Sequence, residues 1–197
     1  LFRNNGDSTF TDVAVEAGVT NARYCKGSTW GDYDNDGDLD LYLSNTGDDN
    51  RLYRNDGRGR FRDVARELGV TGPVYSFPTW FWDYDNDGWL DLFVSGYRAD
   101  VADVASDYLG LPTAGARHRL YRNDGAGGFV DVSRESGISR VHLPMGANFG
   151  DLDNDGFQDL YLGTGNPSFE TIVPNVMYRN DRGLRFQDVT FSGGFGH

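Results

Sequence analysis

Aspartates occupy alternate positions in one short segment of the chain. Residues 31–45 read GDYDNDGDLDLYLSN, with five aspartates on every second position from Asp32 to Asp40, followed by an alternating apolar segment. Two carboxylates about 4 Å apart repel each other by roughly 1 kcal/mol in water and by about 4 kcal/mol near a protein surface. A folded segment of this kind therefore needs a counterion, and the alternatives are a bound cation or disorder.

Repetition of the pattern favours the cation. Residues 82–95 read WDYDNDGWLDLFVS and residues 150–163 read GDLDNDGFQDLYLG, so D-x-D-N-D-G-x-x-D followed by an apolar segment occurs three times. Such self-similarity is typical of repeat architectures, in which each copy is one structural unit. We therefore interpret residues 32–40, 83–91 and 151–159 as folded metal-binding loops, here named aspartate loops 1, 2 and 3.

The spacing suits a cation that takes only oxygen ligands. Carboxylates at loop positions 1, 3, 5 and 9 and the backbone carbonyl of position 7 give about six ligands, which favours Ca²⁺ over Zn²⁺ or copper. Glycine at position 6 permits the sharp turn that such a loop requires. The sequence thus predicts three calcium sites. The position 7 residues Asp38, Trp89 and Phe157 are expected to contribute only a backbone carbonyl. The full set of expected ligand residues is Asp32, Asp34, Asp36, Asp38 and Asp40 in loop 1, Asp83, Asp85, Asp87, Trp89 and Asp91 in loop 2, and Asp151, Asp153, Asp155, Phe157 and Asp159 in loop 3.

An EF-hand shares the first six positions of this pattern and is the first competitor. Its loop ends in a bidentate glutamate at position 12 and is followed by a helix, whereas position 12 here is Leu43, Val94 or Leu162. The residues after each loop alternate between apolar and polar with period two, which is typical of a strand. Each loop is therefore predicted to connect two strands.

A second repeated unit follows each pair of strands. The segments LYRNDGRGRFRDV from Leu52 and LYRNDGAGGFVDV from Leu120, with related segments from Leu1 and Met177, are four versions of one hairpin. Strand A, aspartate loop, strand B, connection, strand C, turn and strand D make a four-stranded antiparallel blade, and a period of roughly 50 residues with four strands is typical of a β-propeller. The predicted fold class is all-β, a β-propeller fragment of about three and a half four-stranded antiparallel blades.

The blade pattern divides the chain into five parts and suggests an excerpt of a longer protein. The expected parts are residues 1–20 (C–D hairpin of a preceding blade), 27–71 (blade with loop 1), 78–139 (blade with loop 2 and an insert at 97–118), 146–190 (blade with loop 3) and 191–197 (start of a following blade).

The blades resemble the FG-GAP/VCBS repeats of integrin α-chain type. Trp30-Gly31 and Phe149-Gly150 stand before the aspartates, and Trp82 departs from the glycine in the second blade. More narrowly, DYLGLPTAGARHRLYRNDG, PMGANFGDLDNDG and RFQDVTFSGGFGH resemble the ASPIC/UnbV, or cartilage acidic protein-like, family. The resemblance implies a calcium-bearing propeller of about seven blades that is exported or at the cell surface, with no settled biochemical activity.

The charge of the chain is concentrated in the loops. There are 18 Lys and Arg against 30 Asp and Glu, a formal net charge of −12, and thirteen of the aspartates lie in the three loops. Nucleic acid is not an expected partner, because it requires basic patches, and no apolar run approaches the about 18 residues of a membrane span. We expect an extracellular, periplasmic or cell-surface protein whose signal peptide is not in this chain.

Long connections indicate where a partner would bind. In an up-and-down blade the A–B loop and C–D turn share one end, and the B–C and D–A connections share the other. The B–C connections at residues 97–118 and 164–175 are unusually long, so we expect a protein or glycan to bind opposite the metals. The first contains a candidate helix with an apolar stripe of Val101, Val104, Ala105, Tyr108 and Leu109, which packs on its own blade or contacts a partner.

A non-enzymatic interaction module, stiffened by calcium, is the predicted function. The three histidines, His118, His142 and His197, are far apart in sequence and belong to no nucleophile arrangement. The alternative is a carbohydrate-active, lyase-like enzyme on the same scaffold. A cleft on the B–C face with convergent Arg, His and Tyr of shifted pKa would favour that alternative.

Overall fold

Antiparallel strands account for nearly all regular structure in the computed structural model, which describes residues 1–165 and 173–195. The described residues form one two-stranded and three four-stranded sheets. The predicted fold class, an all-β propeller fragment, is confirmed. Among these residues, no helix is long and apolar enough to span a membrane.

The strands follow one another in chain order within each sheet. An amino-terminal hairpin of β1 (Phe2–Asn4) and β2 (Phe10–Asp12) precedes helix α1 (Ala14–Ala17). Sheet 1 contains β3 (Cys25–Gly31), β4 (Asp40–Asn45), β5 (Arg51–Asn55) and β6 (Phe61–Asp63). Sheet 2 contains β7 (Ser76–Trp82), β8 (Asp91–Gly96), β9 (Arg119–Asn123) and β10 (Phe129–Asp131), with helix α2 (Val101–Tyr108) between β8 and β9. Sheet 3 contains β11 (Pro144–Gly150), β12 (Asp159–Thr164), β13 (Val176–Asn180) and β14 (Phe186–Asp188).

The two ends of each sheet carry different connections. In sheet 1 the Asn55 side chain donates to the Leu39 carbonyl (3.0 Å), which joins the C–D turn to aspartate loop 1. At the opposite end Thr46, after strand β4, forms an isolated bridge with Tyr75, which precedes β7. The aspartate loops and C–D turns therefore share one end, and the B–C and D–A connections share the other.

Apolar cores lie between neighbouring sheets. Tyr42 of sheet 1 and Leu92 of sheet 2 belong to one buried cluster. Trp82 of sheet 2 stacks on Phe186 of sheet 3, with ring centroids 5.6 Å apart. Because each sheet buries its faces against the next, no sheet is expected to be stable alone.

Trp82 departs from the glycine of the other two repeats for a packing reason. Its counterpart Gly31 lies directly against the ring of Phe81, so that a Cβ there would lie 2.8 Å from Phe81 Cδ2. Trp82 instead faces sheet 3, where Phe149 and Phe186 surround it. The tryptophan in place of glycine thus adds an aromatic ring to the interface between sheets 2 and 3.

Helix α2 confirms the helix expected in the insert at residues 97–118, and its apolar stripe, for which packing on the blade and contact with a partner were both left open, is mostly exposed. Val101, Tyr108 and Leu109 are exposed, and Asp107 is the residue that α2 buries. Asp107 lies against two arginines, which satisfy its charge, and a capping box of Asp100 and Asp103 begins the helix. An ion pair rather than apolar burial therefore anchors the insert.

The predicted following blade has no strand among the described residues at 191–195, which form turns, and residues 196 and 197 lie outside the described part of the chain. The second partner connection, 164–175, is described only at residues 164, 165 and 173–175.

Two histidines far apart in sequence form a buried pair: His118 directly precedes strand β9, and His142 lies in the β10–β11 connection. Gly96 N donates to His118 Nδ1 (3.0 Å), so the proton of His118 lies on Nε2 and is donated to His142 Nδ1 (3.2 Å). Burial lowers the pKa of His118 well below its ordinary value and that of His142 to about 4. Both rings are therefore neutral at pH 7.

Acid should weaken the fold through this pair. Because folding lowers both pKa values, the unfolded state binds more protons as the pH falls below the ordinary 6.5, and stability is lost between that pH and about 4. At pH 5 the loss from His142 alone should be about 2 kcal/mol. Denaturant unfolding at pH 7.5 and 5.0, with saturating calcium, should show a smaller loss for His142→Asn, which keeps an acceptor but does not titrate. Equal losses in the two proteins would contradict this account.

Candidate metal centre

The first carboxylate of each loop is fixed by the loop's own backbone. In loop 1, Asp32 accepts hydrogen bonds from Asp36 N (3.1 Å) and Gly37 N (2.9 Å). Asp83 and Asp151 accept the equivalent pairs in loops 2 and 3. Each loop is thereby closed into the same tight ring of backbone donors around position 1.

Positions 4 and 6 make the turn possible. Position 4 is Asn35, Asn86 or Asn154, with φ of 54°, 59° and 59°, and position 6 is glycine with φ near 90° in all three loops. Left-handed backbone is tolerated by asparagine and costs glycine nothing. The D-N-D-G sequence therefore encodes two left-handed residues separated by one aspartate, which form the sharp turn of each loop.

The aspartate at position 9 ties the loop to the sheet. Asp40, the first residue of β4, accepts from Tyr33 N (3.2 Å) and Asn55 N (2.8 Å), which lie in loop 1 and at the end of β5. Asp91 and Asp159 make the same two contacts in the other sheets. Each oxygen has a second lone pair, so these carboxylates can still bind a cation.

Three carboxylates converge in every loop. Each group offers oxygen atoms that all lie within 4.8 Å of one another, and the groups are Asp32, Asp34 and Asp36; Asp83, Asp85 and Asp91; and Asp151, Asp153 and Asp159. The other predicted carboxylate ligands, Asp40, Asp87 and Asp155, lie in the same loops but outside these groups.

The position 7 residues were predicted to contribute only a carbonyl, and two of their side chains lie beside C–D turns. The side chain of Asp38 lies against Gly57, and that of Trp89 lies against Gly125. No convergent group includes the carboxylate of Asp38. Ligation by the carbonyls of Asp38, Trp89 and Phe157 stays a prediction.

Two carboxylate oxygens have no partner among the described residues. Oδ1 of Asp34 and Oδ1 of Asp85 are buried and accept no hydrogen bond, although both belong to the convergent groups. A buried acceptor without a partner costs about 1–3 kcal/mol, and more when it is charged. The third-position carboxylates of loops 1 and 2 therefore fit a bound cation.

The electrostatics of the loops agree with this fit. Burial raises the pKa of Asp40 to about 6 and that of Asp91 to about 8, against the effect of their backbone hydrogen bonds. Burial, followed by the neighbouring carboxylates, also raises the pKa of Asp34 and Asp85. The charge of Arg54 acts in the opposite direction on Asp34 but does not offset the rise. The ionised loops thus lack positive charge.

A family model for the FG-GAP-like repeat matches residues 1–43, 32–94 and 102–162. The chain belongs to the FG-GAP-like repeat family. Each match extends from one sheet into the next, so the repeat as a sequence unit overlaps two neighbouring blades.

Two curated relatives are similar in sequence to this FG-GAP chain over most of its length. Cartilage acidic protein 1 of Homo sapiens is 29% identical over 203 residues, which cover 93% of this chain and 26% of the relative. Cartilage acidic protein 1 of Mus musculus is 28% identical, covering 93% of this chain and 27% of the relative. The chain therefore spans about a quarter of the length of these relatives.

A solved structure of an Agrocybe aegerita lectin, described as recognising non-reducing terminal N-acetylglucosamine, is also similar. It is 18% identical with a TM-score of 0.45, and the match covers 99% of this chain and 48% of the lectin chain.

The FG-GAP loops are joined directly to one another, which the sequence reasoning missed. The Asn35 side chain donates to the Gly88 carbonyl of loop 2 (3.3 Å), and the Asn86 side chain donates to the Gly156 carbonyl of loop 3 (2.9 Å). In each case position 4 of one loop binds position 6 of the next. The recurrence of asparagine at position 4 in all three loops was the available signal.

A second set of bonds runs between the FG-GAP blades in the other direction. Asn123 of β9 donates to the Tyr33 carbonyl of loop 1 (2.7 Å), and Asn180 of β13 donates to the Tyr84 carbonyl of loop 2 (2.8 Å). Position 2 of each of these loops is therefore held by the next blade. The candidate metal sites form one connected row along the end of the sheets.

Removing one link of the row should weaken the fold measurably. Asn86→Gly keeps the left-handed backbone but loses the bond to Gly156, and should lower the free energy of unfolding by about 0.5–1 kcal/mol. Asn154→Gly is the matched control, because Asn154 has the same φ of 59° and donates to no described residue of another sheet. Urea unfolding compares the two. If both variants lose the same free energy, the bond contributes nothing.

Proposed function

We propose that this chain is part of a calcium-binding β-propeller interaction module in which the metal is structural. The observation that carries the proposal is the pair of buried, unpartnered oxygens on Asp34 and Asp85, each within a group of three convergent carboxylates. A bound cation would satisfy these oxygens and offset the repulsion among the carboxylates.

The donor set supports calcium among the possible cations. The converging side chains are all carboxylates, with no sulfur or nitrogen donor in any group. Oxygen donors suit hard cations, and Ca²⁺ accepts six to eight of them in flexible geometry, whereas Mg²⁺ demands a near-ideal octahedron. Asp32, Asp83 and Asp151, each held by two backbone N–H groups, would then be pre-oriented ligands.

A structural role for the metal is supported by the repetition of the site. The same loop occurs in all three four-stranded sheets, and position 9 of each loop connects strand B to the end of strand C. An enzyme requires one site and not three. Calcium would stiffen the end of every blade and the bonds between blades.

The carbohydrate-active enzyme interpretation gains no support from the histidines. His118 and His142 are buried against each other, so neither can contact a substrate, and His197 lies outside the described residues. Arginines do converge on the B–C face, but no histidine accompanies them. An interaction module therefore accounts better for the observed residues.

We further propose an extracellular, periplasmic or cell-surface location and a protein or glycan partner on the face opposite the metals. Millimolar calcium outside the cell saturates sites with dissociation constants of about 10⁻⁴ M, as in extracellular modules. The insert at residues 97–118 presents exposed apolar side chains on that opposite face, which supports a binding role for it.

Calcium should stabilise the protein. At about 1 mM Ca²⁺ and a dissociation constant of about 10⁻⁴ M, each independent site should add about 1.4 kcal/mol to the free energy of unfolding. Thermal melts with Ca²⁺, with Mg²⁺ and with a chelator measure the effect. Equal midpoints in calcium and in chelator would rule out structural calcium.

Single substitutions should assign the ligands. Asp34→Ala, Asp85→Ala and Asp153→Ala should each remove one ion from the stoichiometry measured by equilibrium dialysis. Asp38→Ala is the matched control, because position 7 contributes only its carbonyl and the Asp38 carboxylate lies outside the convergent group. Loss of an ion in Asp38→Ala would show that the loop binds metal in another way.

A further inference from the structure

We propose that a pocket lined by Arg117, Arg134 and Arg140 binds the carboxylates of an acidic segment of a protein partner. The cavity measures about 440 Å³ and is completed by Gly137 and Ser139. This inference rests on the proposed function in one respect: it places the partner on the face opposite the aspartate loops.

Two of the arginines are held in place by a buried carboxylate. Asp107 of helix α2, whose side chain is 3% exposed, lies 2.5 Å from Arg117 Nη1 and 2.7 Å from Arg140 Nε. Arg117 Nη1 also donates to the Ser139 carbonyl (2.7 Å). Fixed guanidinium groups lose little freedom when they bind a further carboxylate, which they match in a bidentate manner.

The pocket keeps an excess of positive charge. Burial tends to raise the pKa of Asp107, but the hydrogen bonds from Arg140 and Val141 and the charges of both arginines bring it below its usual value. Asp107 is therefore ionised, and its single charge offsets only one of the two guanidinium groups. Arg134 is exposed and forms no ion pair with any described residue. Asp107 thus pairs with two of the three arginines.

This charge stands out in an acidic chain. The net formal charge is −12, with thirteen aspartates in the loops at the opposite end of the sheets. Of the described residues that line the pocket, none is a carboxylate. A cleft of one sign focuses the field and attracts ligands of the other sign, so the pocket selects for anions although the molecule as a whole repels them.

The surroundings of the pocket favour a peptide over an acidic glycan. The Arg140 guanidinium lies 5.2 Å from the ring centre of Tyr108, a residue that is 47% exposed. Leu109 and Leu111, 73% and 53% exposed, follow Tyr108 on the same insert. Arginine with tyrosine is the composition of protein interface hot spots, and exposed leucines match apolar side chains. The expected segment therefore combines Asp or Glu with an aromatic or aliphatic residue.

Binding of labelled polymers tests the inference on the whole chain at fixed free calcium and low salt. The probes are a random copolymer of glutamate and tyrosine, poly-glutamate and heparin, each followed by fluorescence anisotropy. We expect the copolymer to bind and Arg134→Glu to weaken its binding by about tenfold or more, as charge reversal at an interface does. Arg58→Glu is the matched control, since Arg58 is an exposed arginine in the β5–β6 turn, at the aspartate-loop end. Leu109→Ser should weaken binding of the copolymer but leave binding of poly-glutamate unchanged.

The outcomes separate this inference from the proposed function. No binding of the copolymer, or equal binding by Arg134→Glu and the unaltered chain, overturns the inference. Binding of heparin alone, with loss in Arg134→Glu, also overturns it and assigns the pocket to an acidic glycan. Calcium-dependent melting of the same variants is read in parallel. If the melting temperature still depends on calcium when the copolymer does not bind, the proposed calcium module is retained and only the pocket inference is wrong. If the melting temperature does not depend on calcium, the calcium module is contradicted whatever the pocket binds.

Discussion

Repulsion among carboxylates at one end of the sheets is the constraint on which the remaining structure depends. Each aspartate loop brings three carboxylates within 4.8 Å of one another, a spacing that costs several kcal/mol near a protein surface. The backbone offsets part of this cost, because positions 1 and 9 accept two N–H donors each. One oxygen of the position 3 carboxylate, Oδ1 of Asp34 and of Asp85, has no hydrogen-bond partner in loops 1 and 2. Uncompensated negative charge therefore remains in the loops that join strands A and B.

The same loops hold neighbouring blades together. Asn35 and Asn86 carry bonds from one loop to the next, and Asn123 and Asn180 carry bonds back from strand C to the preceding loop. Below this row the aromatic and aliphatic cores fill the space between sheets. A cation at one loop would thus stabilise the interface between two sheets as well as the loop itself. Loss of one hydrogen bond between loops would likewise weaken the packing of two sheets.

At the opposite end of the sheets an ion pair, rather than a cluster of like charges, organises the structure. Its long insert is anchored by the buried Asp107 between Arg117 and Arg140, while its apolar residues stay exposed. Breaking a buried ion pair by removing one partner is strongly destabilising, so this ion pair holds the insert in place despite its polar character. One end of the molecule therefore carries clustered carboxylates, and the other presents guanidinium groups beside exposed apolar side chains.

The sequence by itself determined the strands, the loops and the order of the blades. Period-two alternation, the D-N-D-G turns and the N-D-G hairpins all act within about ten residues, and local patterns of this range are readable without a structure. The up-and-down order of the strands then placed the aspartate loops at one end of the sheets and the long B–C connections at the other. The convergence of Asp32 and Asp34 also followed from their spacing within one loop.

Only the tertiary structure decided which distant residues meet. His118 and His142 are 24 residues apart, Asp107 and Arg140 are 33 apart, and Asn86 and Gly156 are 70 apart. Such pairs depend on how one twisted sheet packs on the next, which no local pattern records. The buried face of helix α2 was left open by the sequence for the same reason. Amphipathic spacing predicts which residues share a face, but the neighbouring arginines determined that Asp107, rather than the apolar face, would be buried.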